Sequence, residues 1–555
     1  MVSVVAGRML LPLLAAATTA AAAPATVVPI TVDVHETIVV TPGTFLAHGW
    51  EPWTATQAFV HFDNPALVKT MSHLRGQTIR FGGISADWLD YVVSDQVTAP
   101  CTWGRPEGRP FTAGGQCPFS TGALDKLLDF VAEAGVELLF DLNELVGRNC
   151  TEAGKRGKGE WCGDAPSPWE TKPVLALLQH LAARNESGQA VPIGFELGNV
   201  RSNTRPLLCP PPGRRLTETA CLSVQELFAP QHLPRDVAVG DIQTLAAMMR
   251  QVWGEQSPGP APRFYASGTN DCNRLDSSET IGALLHLREG GADAGFSFHS
   301  YPGNLQQGWN KSDLTSFLLN TTWLRTEMLA DGAACLPVLA RLPFAVTEAQ
   351  SMCGGSFAPG APTTASFING FFTIANLGQW ARAGASLVAR WGIPELLMLG
   401  GAGWDTSQIS SDFFLYHIYS TTVGHGVLRV DGDEASDVLM YAHCASEHYG
   451  ANGTVTVFAA NPSPRAVSLK LSPSMPTTPR MEWVLTAPKG DLASMTPVLN
   501  GDEEKPLRVS ADGSLPPMEG RFCSSGNTLT LPPRSQGFFV LLAAMADTAC
   551  NDDSH

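Results

Sequence analysis

The sequence has little charge and no surplus of basic residues. Only 16% of its 555 residues are charged and 44% are hydrophobic, which is typical of a globular chain with a large core and not of a disordered one. The 52 acidic residues outnumber the 36 Lys and Arg, for a formal charge of −16. Because nucleic acids and strongly acidic polymers bind basic surfaces, this balance argues against both as main partner.

Several motifs of metal, nucleotide and membrane chemistry are also missing. No C-x₂-C pair and no H-E-x-x-H helix occurs, so we expect neither a metal ion nor another cofactor. No Gly-rich phosphate-binding turn follows a predicted strand, which argues against a nucleotide-binding doubly wound sheet. Beyond the N-terminal leader, no uninterrupted apolar run has the length of a membrane span.

Residues 1–23 combine one Arg, an apolar stretch and small residues before Ala23, which predicts a signal peptide. Twelve cysteines fit an oxidising compartment. Three pairs of cysteines lie close together in the sequence: Cys101 with Cys117, Cys150 with Cys162 and Cys209 with Cys221. Short-range disulfides would explain these pairs. Metal binding is the alternative, but the spacing of the cysteines fits it less well. Glycosylation sequons occur at Asn149, Asn185, Asn310, Asn320 and Asn452. We expect a secreted glycoprotein, or one in the secretory or lysosomal lumen, with membrane or matrix association left open.

From residue 43 to 424, short apolar runs alternate with stretches of helical periodicity. The candidate strands are 44–50, 77–83, 136–143, 193–199, 263–269, 295–301, 344–349 and 386–392. Eight such units predict a (β/α)₈ TIM barrel, with an open doubly wound sheet as the alternative. Residues 425–555 are β-rich and broken by Pro, Gly and Asn, which predicts a C-terminal β-sandwich. The strand-like residues 24–42 are expected to join that sandwich.

Polar and aromatic residues cluster at the ends of the predicted strands, where a barrel builds its active site. Carboxylates, amides and aromatic rings in one pocket suit a sugar. Taken singly, these residues are equally compatible with structural roles, since Glu196 could pair with an arginine inside the barrel and His299 could be a core histidine. The set comprises Arg80, Asp87, Asn143, Glu144, Glu196, Asn199, His299, Tyr301, Glu348, Arg390 and Trp391.

Over most of its length the chain resembles the heparanase-like glycoside hydrolases of family 79. The resemblance is carried by IRFGGISADWLDY (79–91), LLFDLNEL (138–145), GFELGN (194–199), FSFHSY (296–301) and TEAQSMCGG (347–355). It implies a barrel with an appended sandwich and a retaining mechanism acting on glucuronic acid-containing glycans, either within a chain or at its end. It also implies that Cys444 and Cys550 close the sandwich.

The resemblance further implies the roles of individual residues. Glu348 matches the catalytic nucleophile, Tyr301 the hydroxyl that supports it, and His299 the residue beside it. The resemblance also implies substrate contacts at Asp87, Asn143 and Asn199. Arg390 is a further expected substrate contact because it lies at the end of the eighth predicted strand. Because sulfated chains need a basic cleft and this chain is acidic, we expect a glucuronide with little sulfate.

One position departs from the family pattern. The acid/base glutamate is expected directly after Gly198-Asn199, but this chain has Val200 there. Losing general acid–base assistance costs about 10²–10⁴-fold in rate. Three alternatives stay open: another carboxylate such as Glu144 or Asp271 replaces it, the substrate supplies the acid, or the protein is a catalytically impaired glycan-binding relative. Glu196 lies about 13 Å deeper along the strand, at about 3.3 Å per residue, and is a poor replacement.

Overall fold

The computed structural model describes residues 26–52, 61–97, 117–144, 169–199, 235–254, 262–267, 278–302, 314–326, 341–351, 363–397, 406, 409–432, 437–450, 453–472, 479–542, 544 and 549–550. Within these ranges we number the strands β1 to β20 and the α-helices α1 to α9 along the chain. The predicted signal peptide, Val200 and Asp271 lie outside the described residues, as do both members of the pairs Cys150 with Cys162 and Cys209 with Cys221.

Eight parallel strands close into a barrel. They are β2 (Leu46–Trp50), β3 (Thr78–Phe81), β6 (Glu137–Leu142), β7 (Gly194–Leu197), β8 (Arg263–Ser267), β9 (Ala294–Ser300), β10 (Phe344–Ala349) and β11 (Leu387–Trp391). Around the ring the order is β10-β11-β2-β3-β6-β7-β8-β9, and the last of these pairs with β10. Each matches one predicted strand to within two residues at either end, so the (β/α)₈ prediction is confirmed.

Helices accompany the barrel strands. They are α1 (Pro65–Ser72), α2 (Thr121–Ala134), α3 (Thr171–Glu186), α4 (Arg235–Val252), α5 (Ser278–Glu289), α6 (Leu314–Leu318), α7 (Asn369–Arg382), α8 (Ile393–Leu397) and α9 (Ser411–Thr422). Helix α2 shows why the sequence forms them: Ser120 caps its first turn, and Gly135 ends it with a φ of 71°. Its apolar face is buried. No helix in the described ranges is long and apolar enough to cross a membrane.

The other large unit is a ten-stranded sheet. Its strands are β1 (Thr26–Val40), β12 (Val423–Gly432), β13 (Leu439–Ala445), β14 (Val455–Asn461), β15 (Val467–Leu471), β16 (Arg480–Thr486), β17 (Val498–Leu499), β18 (Arg521–Cys523), β19 (Thr528–Leu531) and β20 (Ser535–Leu541). Strand β1 pairs with β12 and β15, so the predicted joining of the N-terminal strand to this domain is confirmed. Strands from opposite ends of the sheet share one apolar core.

Two features tie this sheet down. Cys444 and Cys550 form the implied disulfide, with their Cα atoms 5.6 Å apart. Helix α7 contacts β13 closely, because a Cβ added to Gly378 would lie 2.2 Å from the ring of Tyr441. Only glycine permits that approach, because any other side chain would overlap the ring. The sheet also shares an apolar core with the last barrel helices.

A small parallel pair, β4 (Leu89–Val92) and β5 (Cys117–Ser120), lies in the connection after β3. A 3₁₀ turn, Ile84–Trp88, precedes it. This connection carries Asp87 to the barrel mouth.

Candidate active site

The barrel interior is apolar at one end of its axis and polar at the other. A small apolar cluster fills part of it, formed by Ala47, Leu139, Tyr265, Ala345, Leu387 and Ala389. Two residues further along these strands, towards their carboxyl ends, polar side chains face inward, including Asp141 and Thr347. Since strand residues alternate between the two faces, these follow the apolar residues in register. The polar layer is therefore at the end where barrels carry their active sites.

Glu348 reaches this layer through a bulge in β10. Val346 pairs with Phe298 and Glu348 pairs with His299, so β10 has one extra residue between the two pairs. That residue is Thr347, whose hydroxyl already points inward and donates to Glu196 at 2.8 Å. In a regular strand Glu348 would then face outward. The bulge brings both successive side chains to the interior.

Arg80, at the centre of the polar layer, binds four side chains. Its Nε donates to Glu196 at 2.6 Å and its Nη1 to Glu348 at 2.7 Å. Its Nη2 donates to Asp141 at 3.1 Å and to the Asn199 amide oxygen at 2.9 Å. Arg80 is fully buried. One cation therefore positions groups from β6, β7 and β10.

The Glu348 carboxylate is held on both oxygens. Oε1 accepts from Arg80, and Oε2 accepts from the Tyr301 hydroxyl at 2.7 Å. His299 Nδ1 lies 3.3 Å from Oε2. Burial raises the pKa of Glu348, and it outweighs Arg80 and Tyr301, which lower that pKa. Burial also lowers the pKa of His299 to about 3, so its imidazole is neutral at ordinary pH. The result is an oriented carboxylate with 6% of its surface exposed, suited to nucleophilic attack.

Asp87 connects two strand ends. Its Oδ2 accepts from the backbone N–H of Asn199 at 3.1 Å and its Oδ1 from that of Glu144 at 3.3 Å. Asn143 plays a similar part, because its side-chain amide donates to the Leu89 carbonyl at 2.6 Å and its backbone N–H to the Tyr91 hydroxyl at 2.8 Å. Both residues thus lie at the mouth and fix the β3 connection against β6 and β7.

Two further buried carboxylates belong to the floor of the site. Glu196 accepts from Arg80, Thr347 and the Ser297 hydroxyl, the last at 2.6 Å. Asp141 accepts from Arg80 and from Gly83 N–H at 3.2 Å. Burial, with Glu196 nearby, raises the pKa of Asp141 well above its ordinary value. The pairing of Glu196 with an arginine inside the barrel is the structural alternative that the sequence left open.

Arg390 lies apart from the residues it was predicted to join. The inward positions of β11 are Leu387, Ala389 and Trp391, so Arg390 faces the helical layer. Its Nε donates to Asp412 of α9 at 2.9 Å, and its Nη2 donates to the Thr364 carbonyl at 2.9 Å. The prediction took account of its place at the strand end but not of the alternation of faces.

Glu51 is a site residue that sequence reasoning missed. It follows Ala47 and Gly49 at inward spacing, one residue beyond the end of β2, and that spacing was the available signal. Its Oε1 accepts from the Ser85 N–H and hydroxyl, both at 2.6 Å. Burial raises its pKa to about 7, with the Ser85 bonds acting in the opposite direction. The Trp391 ring lies beside it, with its centroid 6.0 Å from the Arg80 guanidinium carbon.

Among the described residues, no group of three or more His, Cys, Asp and Glu side chains is arranged to hold a metal ion.

No family model matches the chain. It is 25% identical over 516 residues to a hyaluronoglucuronidase of Hirudo nipponia, covering 89% of this chain and 92% of that protein. It is 23% identical over 522 residues to the baicalin-β-D-glucuronidase of Scutellaria baicalensis, covering 92% and 89% respectively. A heparanase of Gallus gallus is 29% identical over 204 residues, which cover 35% of this chain and 37% of that one.

Among solved structures, a 4-O-α-L-rhamnosyl-β-D-glucuronidase from Fusarium oxysporum 12S superimposes with a TM-score of 0.56 at 14% identity. The match covers 92% of this chain and all of that one, and it supports the fold. The sequence similarities span both the barrel and the sheet domain. These similarities, two of which cover about nine tenths of the chain, support a heparanase-like glycoside hydrolase of family 79.

Proposed function

We propose that the protein is a retaining β-glucuronidase that acts on glucuronic acid-containing glycans with Glu348 as its nucleophile. The observation that carries the proposal is the position of Glu348 at the barrel mouth, with one oxygen on Arg80 and the other on the Tyr301 hydroxyl. Burial raises the pKa of the Glu348 carboxyl group, and these two donors aim the carboxylate and partly oppose that rise.

In this mechanism Glu348 attacks the anomeric carbon and forms a glycosyl-enzyme, which water then hydrolyses with net retention. Tyr301 orients the nucleophile, and neutral His299 packs beside it without placing a second cation there. The Asn199 amide oxygen faces Arg80, which turns its NH₂ group to the other side, where a donor suits a sugar hydroxyl. Asp87 and Asn143 hold the rim on which the substrate lies.

The substrate class rests on the relatives, whose names describe a hyaluronoglucuronidase, a β-D-glucuronidase and a heparanase. The formal charge of −16 favours a glucuronide with little sulfate, because sulfate groups are recognised by clusters of Arg and Lys. We place the protein outside the cytosol, secreted or in the secretory or lysosomal lumen. The leader-like residues 1–23 and the Cys444–Cys550 disulfide support this.

The test is hydrolysis of an aryl β-glucuronide with an activated leaving group. Glu348→Gln should lower kcat by about 10⁴-fold or more, as loss of a nucleophile does. The matched control is Glu137→Gln, the same chemical change at the opposite end of barrel strand β6, which should keep the wild-type rate. Proton NMR of the first product should show the β-anomer.

A glycan-binding protein without turnover is the competing function. Wild-type protein that binds a glucuronan, does not hydrolyse the aryl glucuronide and binds equally well as Glu348→Gln would establish it. An α-anomeric first product would instead overturn the retaining mechanism.

A further inference from the structure

A retaining glycosidase needs a second carboxyl group, which protonates the leaving oxygen and later deprotonates the attacking water. We propose that Glu144 is this general acid and base. The assignment rests on the proposed role of Glu348 and does not depend on where the Val200 side chain lies. Glu144 differs in position from the other carboxylates around the barrel mouth.

Three of these carboxylates are committed to other groups. Glu196 has both oxygens on buried donors. Asp141 shares one oxygen between Arg80 and the Gly83 N–H. Asp87 uses each oxygen on a backbone N–H. If any of them moved to a leaving group, it would break the hydrogen bonds that hold the floor or the rim of the site.

Glu51 lies on the same side of the ring as the nucleophile, close enough to interact electrostatically with Glu348. It follows β2, which is two strands from β10 through β11. Glu144 follows β6, which is four strands from β10 in either direction and so lies directly across the barrel from the nucleophile. The two carboxyl groups of a retaining enzyme flank the scissile bond, and Glu144 is the carboxylate that faces Glu348 across the ring.

Contacts around Gly198 fix the position of Glu144. A Cβ added to Gly198 would lie 2.5 Å from Glu144 Oε2 and 3.2 Å from Glu144 Cβ. The Glu144 side chain therefore lies across the end of β7, over a glycine whose φ of 69° turns the chain there. Asp87 holds the backbone of both segments, since it accepts from Glu144 N–H and Asn199 N–H.

The same network connects Glu144 to the nucleophile. Arg80 reaches Glu348 with Nη1 and the Asn199 side chain with Nη2, and Asn199 directly follows Gly198. Glu144 and Glu348 thus lie on either side of one guanidinium–amide pair. A sugar bound over that pair would have the nucleophile on one flank and Glu144 on the other.

The proton transfers balance in both steps. As Glu348 bonds to the anomeric carbon, the bond from that carbon to the leaving oxygen breaks, and the Glu144 carboxyl gives that oxygen its proton. In the second step the Glu144 carboxylate takes a proton from water while the water oxygen bonds to the anomeric carbon. The ester bond to Glu348 then breaks, and both residues return to their starting protonation states.

The test compares leaving groups in Glu144→Gln. We expect kcat/KM to fall by about 10²–10⁴-fold for a glucuronide with a poor leaving group and to change little for a dinitrophenyl glucuronide, whose departure needs no proton. Added azide should accelerate turnover of the dinitrophenyl substrate by Glu144→Gln and yield β-glucuronosyl azide, because azide attacks without a base. If Glu144 had only a structural role, Glu144→Gln would lower kcat/KM for both substrates alike and would form no azide product.

Two further variants separate the possible failures. Adding Val200→Glu to Glu144→Gln supplies a carboxyl group from the neighbouring segment and should recover part of the lost rate. Glu137→Gln is the matched control and should show neither leaving-group dependence nor azide rescue. If wild type depends on Glu348 but Glu144→Gln behaves as wild type, Glu144 is excluded while the proposed function stands. If no aryl glucuronide is hydrolysed by wild type, the proposed function itself fails.

Discussion

Two buried arginines on the barrel, Arg80 and Arg390, illustrate how similar chemistry serves different ends. Both are at most 2% exposed and both pair with carboxylates. All four acceptors of Arg80 are side chains, three on strands and one, Asn199, just beyond the end of β7. Those of Arg390 are one carboxylate, Asp412, and the backbone carbonyls of Thr364, Trp391 and Gly392, with Glu395 at 3.7 Å.

The difference between them is one of direction and access. Arg80 points into the barrel and gathers carboxylates at the mouth, where Glu348 retains some exposure. Arg390 points outward and fixes the backbone beyond β11 to helix α9, whose Asp412 is fully buried. Arg80 thus orders reactive groups, and Arg390 holds the barrel to its helical layer. A buried ion pair at a strand end is therefore evidence of a site only when it faces the axis.

The largest effect is expected for Arg80→Met. The change leaves Glu196, Asp141 and Glu348 buried without their shared cation, which should cost about 3–5 kcal/mol of unfolding free energy. Activity should vanish as well, because the nucleophile loses the donor on Oε1. Denaturant unfolding and aryl glucuronide hydrolysis measure the two effects. The control is Lys69→Met, which breaks a half-exposed pair with Asp512 and should change stability by at most about 1 kcal/mol.

Arg390→Met tests the other half of the comparison. It leaves the buried Asp412 carboxylate without its cationic partner, so the free energy of unfolding, measured with denaturant, should again fall by about 3–5 kcal/mol. The protein that remains folded should keep the wild-type kcat and KM, measured well below the unfolding transition. A raised KM in folded Arg390→Met would restore the sequence-based prediction that this residue binds substrate.

The barrel strands could be predicted because each is a short apolar run bounded by turn residues, a local signal. The orientation of side chains at strand ends is less local. Arg390 was placed in the pocket because only its distance along β11 was considered. Glu348 faces the axis because β10 gains Thr347 relative to β9, and such a bulge depends on how two strands pair. Only the resemblance to known glycosidases singled out Glu348 beforehand.

The disposition of Glu144 could not be predicted either. Its contact with Gly198 depends on where the chain turns after β6 and β7, and on Asp87 holding both segments. Sequence spacing carries no record of that arrangement, so the sequence named Glu144 only as one example, with Asp271, of a carboxylate that could replace the missing acid/base.

Glu51→Gln tests whether the burial of Glu51 among the carboxylates at the barrel mouth makes stability depend on pH. The folded protein holds the Glu51 proton up to a pKa of about 7, against an ordinary 4.5. The unfolded chain releases that proton earlier, so this group makes stability fall as pH rises from about 4.5 to 7. The shift corresponds to roughly 3 kcal/mol, at about 1.36 kcal/mol per pKa unit.

Gln keeps an oxygen for the Ser85 donors but does not ionise, so that part of the pH dependence should disappear. Unfolding free energies measured at several pH values for both proteins provide the comparison. Identical slopes would show that Glu51 ionises normally and that the mouth is less crowded than the contacts indicate.

The smallest effect is expected for Tyr301→Phe, which removes one donor from Glu348 and leaves Arg80 in place. A hydrogen bond to a charged group contributes about 1.5–3 kcal/mol, so kcat/KM should fall roughly 10- to 100-fold. The Tyr301 bond lowers the pKa of Glu348, so its loss raises that pKa further. Because Glu348 must be ionised to attack, the acidic limb of the kcat/KM profile should move to higher pH.

Tyr265→Phe is the matched control, since it removes a buried tyrosine hydroxyl inside the same barrel. That hydroxyl contacts Ser386 at 3.0 Å, in the apolar end of the interior and away from Glu348. Its loss should leave the acidic limb in place, even where stability drops. An equal shift in both variants would mean that the limb reports general loosening of the barrel, and an unmoved limb in Tyr301→Phe would mean that Arg80 alone sets the ionisation of Glu348.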